Sequence, residues 1–198
     1  MNRYEIFGYV VILGLLAVCL YMYFEGDTME LKCVLSTVDG QKYCVRNRNE
    51  VNRAADLLAE TTDKCKKLVD YLVEKHPGEA CVQRLKKGFN PQKIMETLPT
   101  SEYTAYSENK GEKLAFCLNK TKTDNNDLID KHTLMFVALH ELSHIATESI
   151  GHKTDFWQNF KFILENAKEA GIHDPKDYKK KPAEYCGMKI RDNPYYDA

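Results

Sequence analysis

Nineteen consecutive residues near the start of the chain, Ile6–Phe24, carry no charge. No other stretch restricts the fold so tightly. As an α-helix rising about 1.5 Å per residue, the run extends roughly 28 Å, close to the ~30 Å hydrocarbon core of a bilayer. A helix packed into a protein core keeps a polar stripe, and this run has none. Tyr4, Tyr9, Tyr21 and Tyr23 cluster towards its ends, as interfacial aromatics do. Ala17-Val18-Cys19 resembles a signal-cleavage site, but the apolar run is long for a signal and continues through Phe24. The expectation is a retained single-pass transmembrane helix within residues 1–26, with a lipid bilayer as partner and a membrane localisation. Arg3 precedes the span while Glu25, Asp27, Glu30 and Lys32 follow it, so the positive-inside rule leans slightly towards a cytoplasmic N-terminus.

The remainder, 27–198, has the size of one domain with its own core. Across the chain, 28 basic residues stand against 29 acidic ones, a balance that argues against a nucleic-acid partner. The hydrophobic share of 43% is too high for disorder, and 10 Gly with 6 Pro are too few for a collagenous or low-complexity chain. Of seven cysteines, Cys19 falls in the apolar run. The other six permit three disulfides in about fifteen connectivities, and six buried thiols satisfy the pattern as well. No C-x-x-C pair occurs, so neither a zinc ribbon nor a thioredoxin-type centre is supported.

Periodicity outlines an α+β domain. Leu31–Arg46 alternates around Asp39-Gly40 and predicts a hairpin. Asn49 is placed to cap a helix over Glu50–Lys75, which His76-Pro77-Gly78 ends. A shorter helix is expected over Glu79–Lys87, and Pro91 opens another towards Leu98. Tyr103–Ser107 and Lys113–Leu118 flank Asn109-Lys110-Gly111 as a second hairpin. Thr121–Asp127 reads as a loop. Helical patterns follow over Leu128–Ile150 and Thr154–Ala170, separated by Gly151, and the tail from Asp174 has no clear period.

Within the first of those helices lies His140-Glu141-Leu142-Ser143-His144, an HExxH motif. Residues four apart share a helix face, so the two imidazoles can converge on one metal ion, with Glu141 beside it to accept a proton from an activated water. The apolar run Thr133–Leu139 gives the helix a face to bury, and so a rigid mount. Catalytic zinc takes three protein ligands and leaves a position open. His152 is the expected third ligand, with Gly151 free to adopt the left-handed conformation that turns the chain back. Glu148, one turn past His144, and Glu165 and Glu169 on the next helix are the alternatives. Metzincins place their third histidine ten residues after the first. Here the interval is twelve.

HExxH with the later Gly-His-Lys-Thr-Asp-Phe-Trp element, 151–157, resembles the WLM (Wss1-like) and SprT-like zinc metalloproteases. The similarity is specific over Phe136–Phe162 and, with Tyr103–Gly111 and Tyr185–Met188, greatest towards small membrane-anchored members encoded by large DNA viruses. The resemblance implies a minimal gluzincin-like zincin domain over 27–198, ordered as helix, small β-sheet, HExxH helix and following helix. It also implies Zn2+ as cofactor, His140, His144 and His152 as ligands, Glu141 as general base, a protein or peptide substrate, and a viral or host internal membrane as location. Tyr106, His173, Tyr185 and Tyr195 are candidates for stabilising the oxyanion, and the edge of the Tyr103–Leu118 hairpin is a candidate for pairing with an extended peptide. The DNA- or ubiquitin-pathway extensions of the repair proteases have no counterpart here, and Lys179-Lys180-Lys181 reads as a solvated tail. Two rivals are a membrane-anchored structural or virion protein that keeps the zinc fold without activity, and a disulfide-held binding module in which HExxH is coincidental.

Overall fold

The computed structural model describes residues 2–25, 31–122 and 127–197. It is an α+β structure. Helix α1 spans Arg3–Glu25, followed by strands β1 (Leu31–Leu35) and β2 (Lys42–Arg46), helices α2 (Val51–Lys75) and α3 (Ala80–Gly88), and strands β3 (Ile94–Glu96), β4 (Ala105–Glu108) and β5 (Lys113–Phe116). Helices α4 (Lys131–Ala146) and α5 (Thr154–Glu169) come next, then strands β6 (Ala183–Tyr185) and β7 (Met188–Ile190) and a 3-10 turn at Pro194–Tyr196.

Among the described residues no helix is long and apolar enough to cross a membrane. This overturns the expected transmembrane anchor and the single-pass membrane localisation. Helix α1 includes Arg3, Glu5 and Glu25, so its uncharged run is shorter than the helix itself. The side chains of Tyr4 and Tyr23, and the flanking Asp27 and Glu30, lie outside the described residues.

The core forms around α4. Its residues Thr133–Leu139 are buried on every side, as expected for a helix with no polar face, and it packs on α2, α3, α5, β4 and β5. Asp130 caps its start, accepting from the backbone N–H groups of His132 and Thr133. The long amphipathic α2 lays Leu58, Leu68 and Leu72 into the same core. Its cap position is Glu50, one residue after the expected Asn49, and the Glu50 side chain makes no capping bond, pairing with Arg53 instead.

Three small sheets surround the helices. β1 and β2 pair antiparallel with Cys33 opposite Cys44, and these two form a disulfide. In the three-stranded sheet, β5 is central, with β3 parallel on one side and β4 antiparallel on the other. The segment after Pro91, expected to be helical, is thus strand β3. Its Glu96 is fully buried and accepts from the backbone N–H of Arg46 and from the Arg48 guanidinium, which ties β2 to the sheet. The tail is also structured: β6 and β7 form a hairpin turned at Cys186 (φ 49°) and Gly187 (φ 79°). A second disulfide, Cys117–Cys186, fixes that hairpin to the end of β5. Cys19, Cys65 and Cys81 are free, so two of the three permitted bridges form. The expected loop Thr121–Asp127 is described only at its ends, because 123–126 lie outside the described residues.

Candidate metal centre

Helix α4 carries His140 and His144 on one face, four residues apart, near its C-terminal end. The helix stops at Ala146, earlier than the expected Ile150, because Thr147 takes an extended conformation (φ −97°, ψ 135°). A loop of residues 147–153 then reverses the chain. Gly151, at φ 80°, makes the turn in the left-handed region that suits glycine, and His152 swings back over α4.

The three imidazoles meet. Nε2 of His144 lies 3.2 Å from Nε2 of His140 and 3.1 Å from Nε2 of His152, and the third side of the triangle is 3.0 Å. Ligands at about 2.0–2.1 Å from one tetrahedral zinc stand about 3.3 Å apart, so the triangle has the size such an ion requires. Among the described residues this is the one cluster of at least three His, Cys, Asp or Glu side chains able to hold a metal ion. Glu148 and Glu165 are exposed. Glu169 also points elsewhere, forming an ion pair with Lys75 of α2.

Phe156, at the start of α5, explains the ring arrangement. It is fully buried, and its ring centroid lies 4.9 Å from that of His140, 4.3 Å from His144 and 4.7 Å from His152. One apolar ring therefore floors all three imidazoles. Burial lowers the His140 pKa to about 3 and the His144 pKa to about 4, reinforced in each case by neighbouring histidines and, for His144, by Lys110. Both rings are neutral near pH 7, the form that binds metal.

Glu141 sits beside the cluster, only 5% exposed, and burial alone pushes its carboxyl up to about 8. Glu141, the three histidines, Phe136 and Phe160 line a cleft of about 1210 Å³. Residues 103–110, including edge strand β4, form one wall. The rim also includes Ile150 (85% exposed) and Trp157, and the C-terminal hairpin adds Tyr185, Met188 and Ile190.

Of the four oxyanion candidates, Tyr106 and Tyr185 line this cleft. The Tyr185 hydroxyl is already engaged, donating to the Thr104 carbonyl and accepting from the Cys117 N–H. His173 packs against His132 behind the site, and Tyr195 accepts from Lys168. Beyond Tyr185, the tail's share of the cleft (Met188, Ile190 and the hairpin that carries them) was not read from the sequence. The signal available was Tyr185-Cys186-Gly187-Met188, a two-residue turn ending in glycine between larger side chains.

No family model matches the chain. It is 27% identical over 194 residues to the uncharacterized protein R325 of Acanthamoeba polyphaga mimivirus, covering 96% of this chain and 97% of that one. Two shorter matches are to iridescent virus proteins. Uncharacterized protein 136R of Invertebrate iridescent virus 6 is 29% identical over 86 residues, 43% of this chain and 48% of its own. Uncharacterized protein 042R of Invertebrate iridescent virus 3 is 41% identical over 61 residues, 30% of this chain and 36% of its own. Among solved structures, Wss1 from Saccharomyces cerevisiae matches with a TM-score of 0.47 and 19% identity, over 64% of this chain and 89% of that chain. A mutant of the same yeast protein gives 0.48 and 18%, over 65% and 92%. The match to the mimivirus protein thus runs over nearly the whole of both chains.

Proposed function

We propose that the chain is a zinc-dependent metallopeptidase of the Wss1-like kind, with 27–198 as the catalytic unit and a protein or peptide as substrate. One observation carries the reading: three imidazoles 3.0–3.2 Å apart open onto a cleft, with a buried carboxyl next to them. A purely structural zinc site is closed by four protein ligands and has no use for a base. Among the described residues the donor set stops at three, and Glu141 is present.

In this reading His140, His144 and His152 hold the ion, which supplies Lewis-acid polarisation of the scissile carbonyl and acidifies a water molecule. Glu141 takes the proton from the attacking water on a carboxylate oxygen and returns it to the departing amine. Strand β4 borders the cleft from the edge of its sheet, so its outer backbone groups suit an extended peptide added as a further strand. Tyr185 holds Thr104, just before that strand, in place through its hydroxyl. Tyr106 is the oxyanion candidate that remains, since it lines the cleft.

The test compares full-length wild type, Glu141→Gln and His152→Ala on a panel of unfolded polypeptides, with zinc content measured on the same samples. Glu141→Gln should retain zinc and lose about 10²–10⁴-fold in turnover, whereas His152→Ala should lose zinc as well. Equal cleavage by wild type and Glu141→Gln would assign the activity to a contaminant. Zinc without cleavage by the wild type would favour the structural protein that kept the site.

A further inference from the structure

The loop that delivers His152 is held at a point far from it in sequence. Lys110 lies in the β4–β5 turn, and its Nζ donates to three carbonyls: His144 at 3.2 Å, Thr147 at 2.7 Å and Ser149 at 3.0 Å. An ammonium group has three donors, so all are used. The first acceptor belongs to a candidate ligand. The second is the residue where α4 stops, and the third lies in the reversing loop itself. One side chain thus spans the junction between the two-histidine helix and the segment bearing the third histidine.

The base of Lys110 is equally fixed. Asn109 (φ 47°), Lys110 (φ 56°) and Gly111 (φ 106°) all lie in the left-handed region, forming a sharp turn pressed onto the end of α3. A Cβ on Gly88 would stand 2.4 Å from the Lys110 carbonyl and 2.6 Å from Ile145 Cγ2. On Gly111 it would stand 2.4 Å from the Gly88 carbonyl. Two bare glycine backbones therefore seat the turn against α4, and the Lys110 stem starts from a set place. The loop is pinned on its other side as well: Ser149 Oγ donates to Asp155, and Asn159 to Thr147 Oγ1. Arg84 of α3 also donates to the end of α4, at the Ala146 carbonyl, but no bond from it reaches the loop.

We propose that Lys110 is the positioning residue of the metal centre, holding the 147–153 loop so that His152 Nε2 completes the triangle. It acts through the loop and touches no reacting atom. Since Lys110 closes the hairpin whose β4 strand walls the cleft, the same contact fixes the distance between that wall and the third histidine. The inference rests on the metal-centre reading above.

The experiment measures zinc affinity of the full chain by competition with a chromophoric chelator. The single tryptophan, Trp157, provides a second readout, because its ring lies 5.6 Å from that of His152. Lys110→Met keeps the stem and removes the donors, and should weaken zinc by about 10–100-fold, as loss of groups that orient metal ligands does. Lys110→Arg, which retains donors and charge, should restore most of the affinity. Should Lys110→Met fail to fold, Lys110→Gln, with fewer donors and no charge, should give an intermediate loss. Arg84→Met should lower the unfolding midpoint and leave zinc affinity as in the wild type. Unchanged affinity in both Lys110→Met and Lys110→Gln overturns the proposal, as does an equal loss in Arg84→Met, which would reduce the effect to general loosening of the α4 end. A wild type that binds no zinc removes the metal-centre reading itself, a result distinct from either.

Discussion

Glu141→Gln should make the metal-free protein more stable, and by an amount that depends on pH in a defined direction. Glu141 titrates at about 8 in the folded chain against an ordinary 4.5, and burial is the sole cause. Among the described residues no cation pairs with it to offset the loss of hydration. Between those two values the unfolded chain has released a proton that the folded chain still holds, so the wild type loses stability as pH rises. At pH 7 the penalty is about 3 kcal/mol, approaching a ceiling of about 5 kcal/mol above pH 8 and vanishing below about pH 4. Glutamine has nearly the same shape and never ionises. It carries a buried amide whose cost does not change with pH, so the slope of the difference, rather than its absolute value, isolates the charge.

The assay is equilibrium urea unfolding of chelator-treated wild type and Glu141→Gln at about pH 4.5, 6, 7 and 8.5. The stability difference should grow in favour of the variant across the series, by about 4 kcal/mol between pH 4.5 and 8.5. His140 and His144 have lowered pKa values in both proteins, and their effect cancels in the comparison. A difference that stays flat with pH would refute the argument, since it would mean the Glu141 carboxylate is solvated. Together with the expected loss of turnover, a positive result would show that the base is kept at a cost to stability, as functional sites often are.

Phe156→Ala should lower stability by about 3–5 kcal/mol, the range for removing a buried phenyl ring, and should also weaken zinc binding, because the ring floors all three imidazoles. Urea unfolding and a zinc titration check the two effects separately, and a destabilised variant with wild-type zinc affinity would show that the rings hold their places without it. His173 is buried, its Nε2 has no partner, and its pKa falls to about 3 through burial and the charges of His132, Lys64 and Lys176. As pH drops from about 6.5 towards 3 the unfolded chain takes up a proton that folded His173 refuses, so stability is lost by up to about 5 kcal/mol. His173→Phe should make that acid loss shallower without changing the pH dependence above about pH 7.5; an unchanged acid limb in urea unfolding would exclude His173 as its source.

What was legible in the sequence, and what was not, divides by distance along the chain. HExxH needs only the repeat of an α-helix to bring His140 and His144 together, and Gly151 marks the turn that returns His152. Those are interactions within thirteen residues, and the expected juxtaposition of the three rings follows from local geometry. Hairpin β1–β2 and the β4–β5 turn were readable for the same reason. Strand β3 was not, because a three-residue segment has no period of its own. It is a strand because β5, some twenty residues later, offers it parallel bonds, and because Glu96 finds Arg46 at the end of β2 and Arg48 just beyond it. Nor was the C-terminal hairpin, whose place depends on the Cys117–Cys186 bridge.

The end of α4 shows how the two scales meet. Glu148, Ser149 and Ile150 continue the helical pattern, and by local propensity the helix should run on to Gly151. A helix that long would carry the chain straight past the metal site, leaving Gly151 too few residues to bring His152 back. Instead the backbone leaves the helix at Thr147, and the carbonyls it abandons are taken by side chains from elsewhere: Ala146 by Arg84, and His144, Thr147 and Ser149 by Lys110. Those donors replace the intrahelical bonds that would have favoured continuation. Local preference is overridden where three carbonyls, one lysine and two glycines from three separate segments agree on a different path, and the third histidine reaches the other two only along that path.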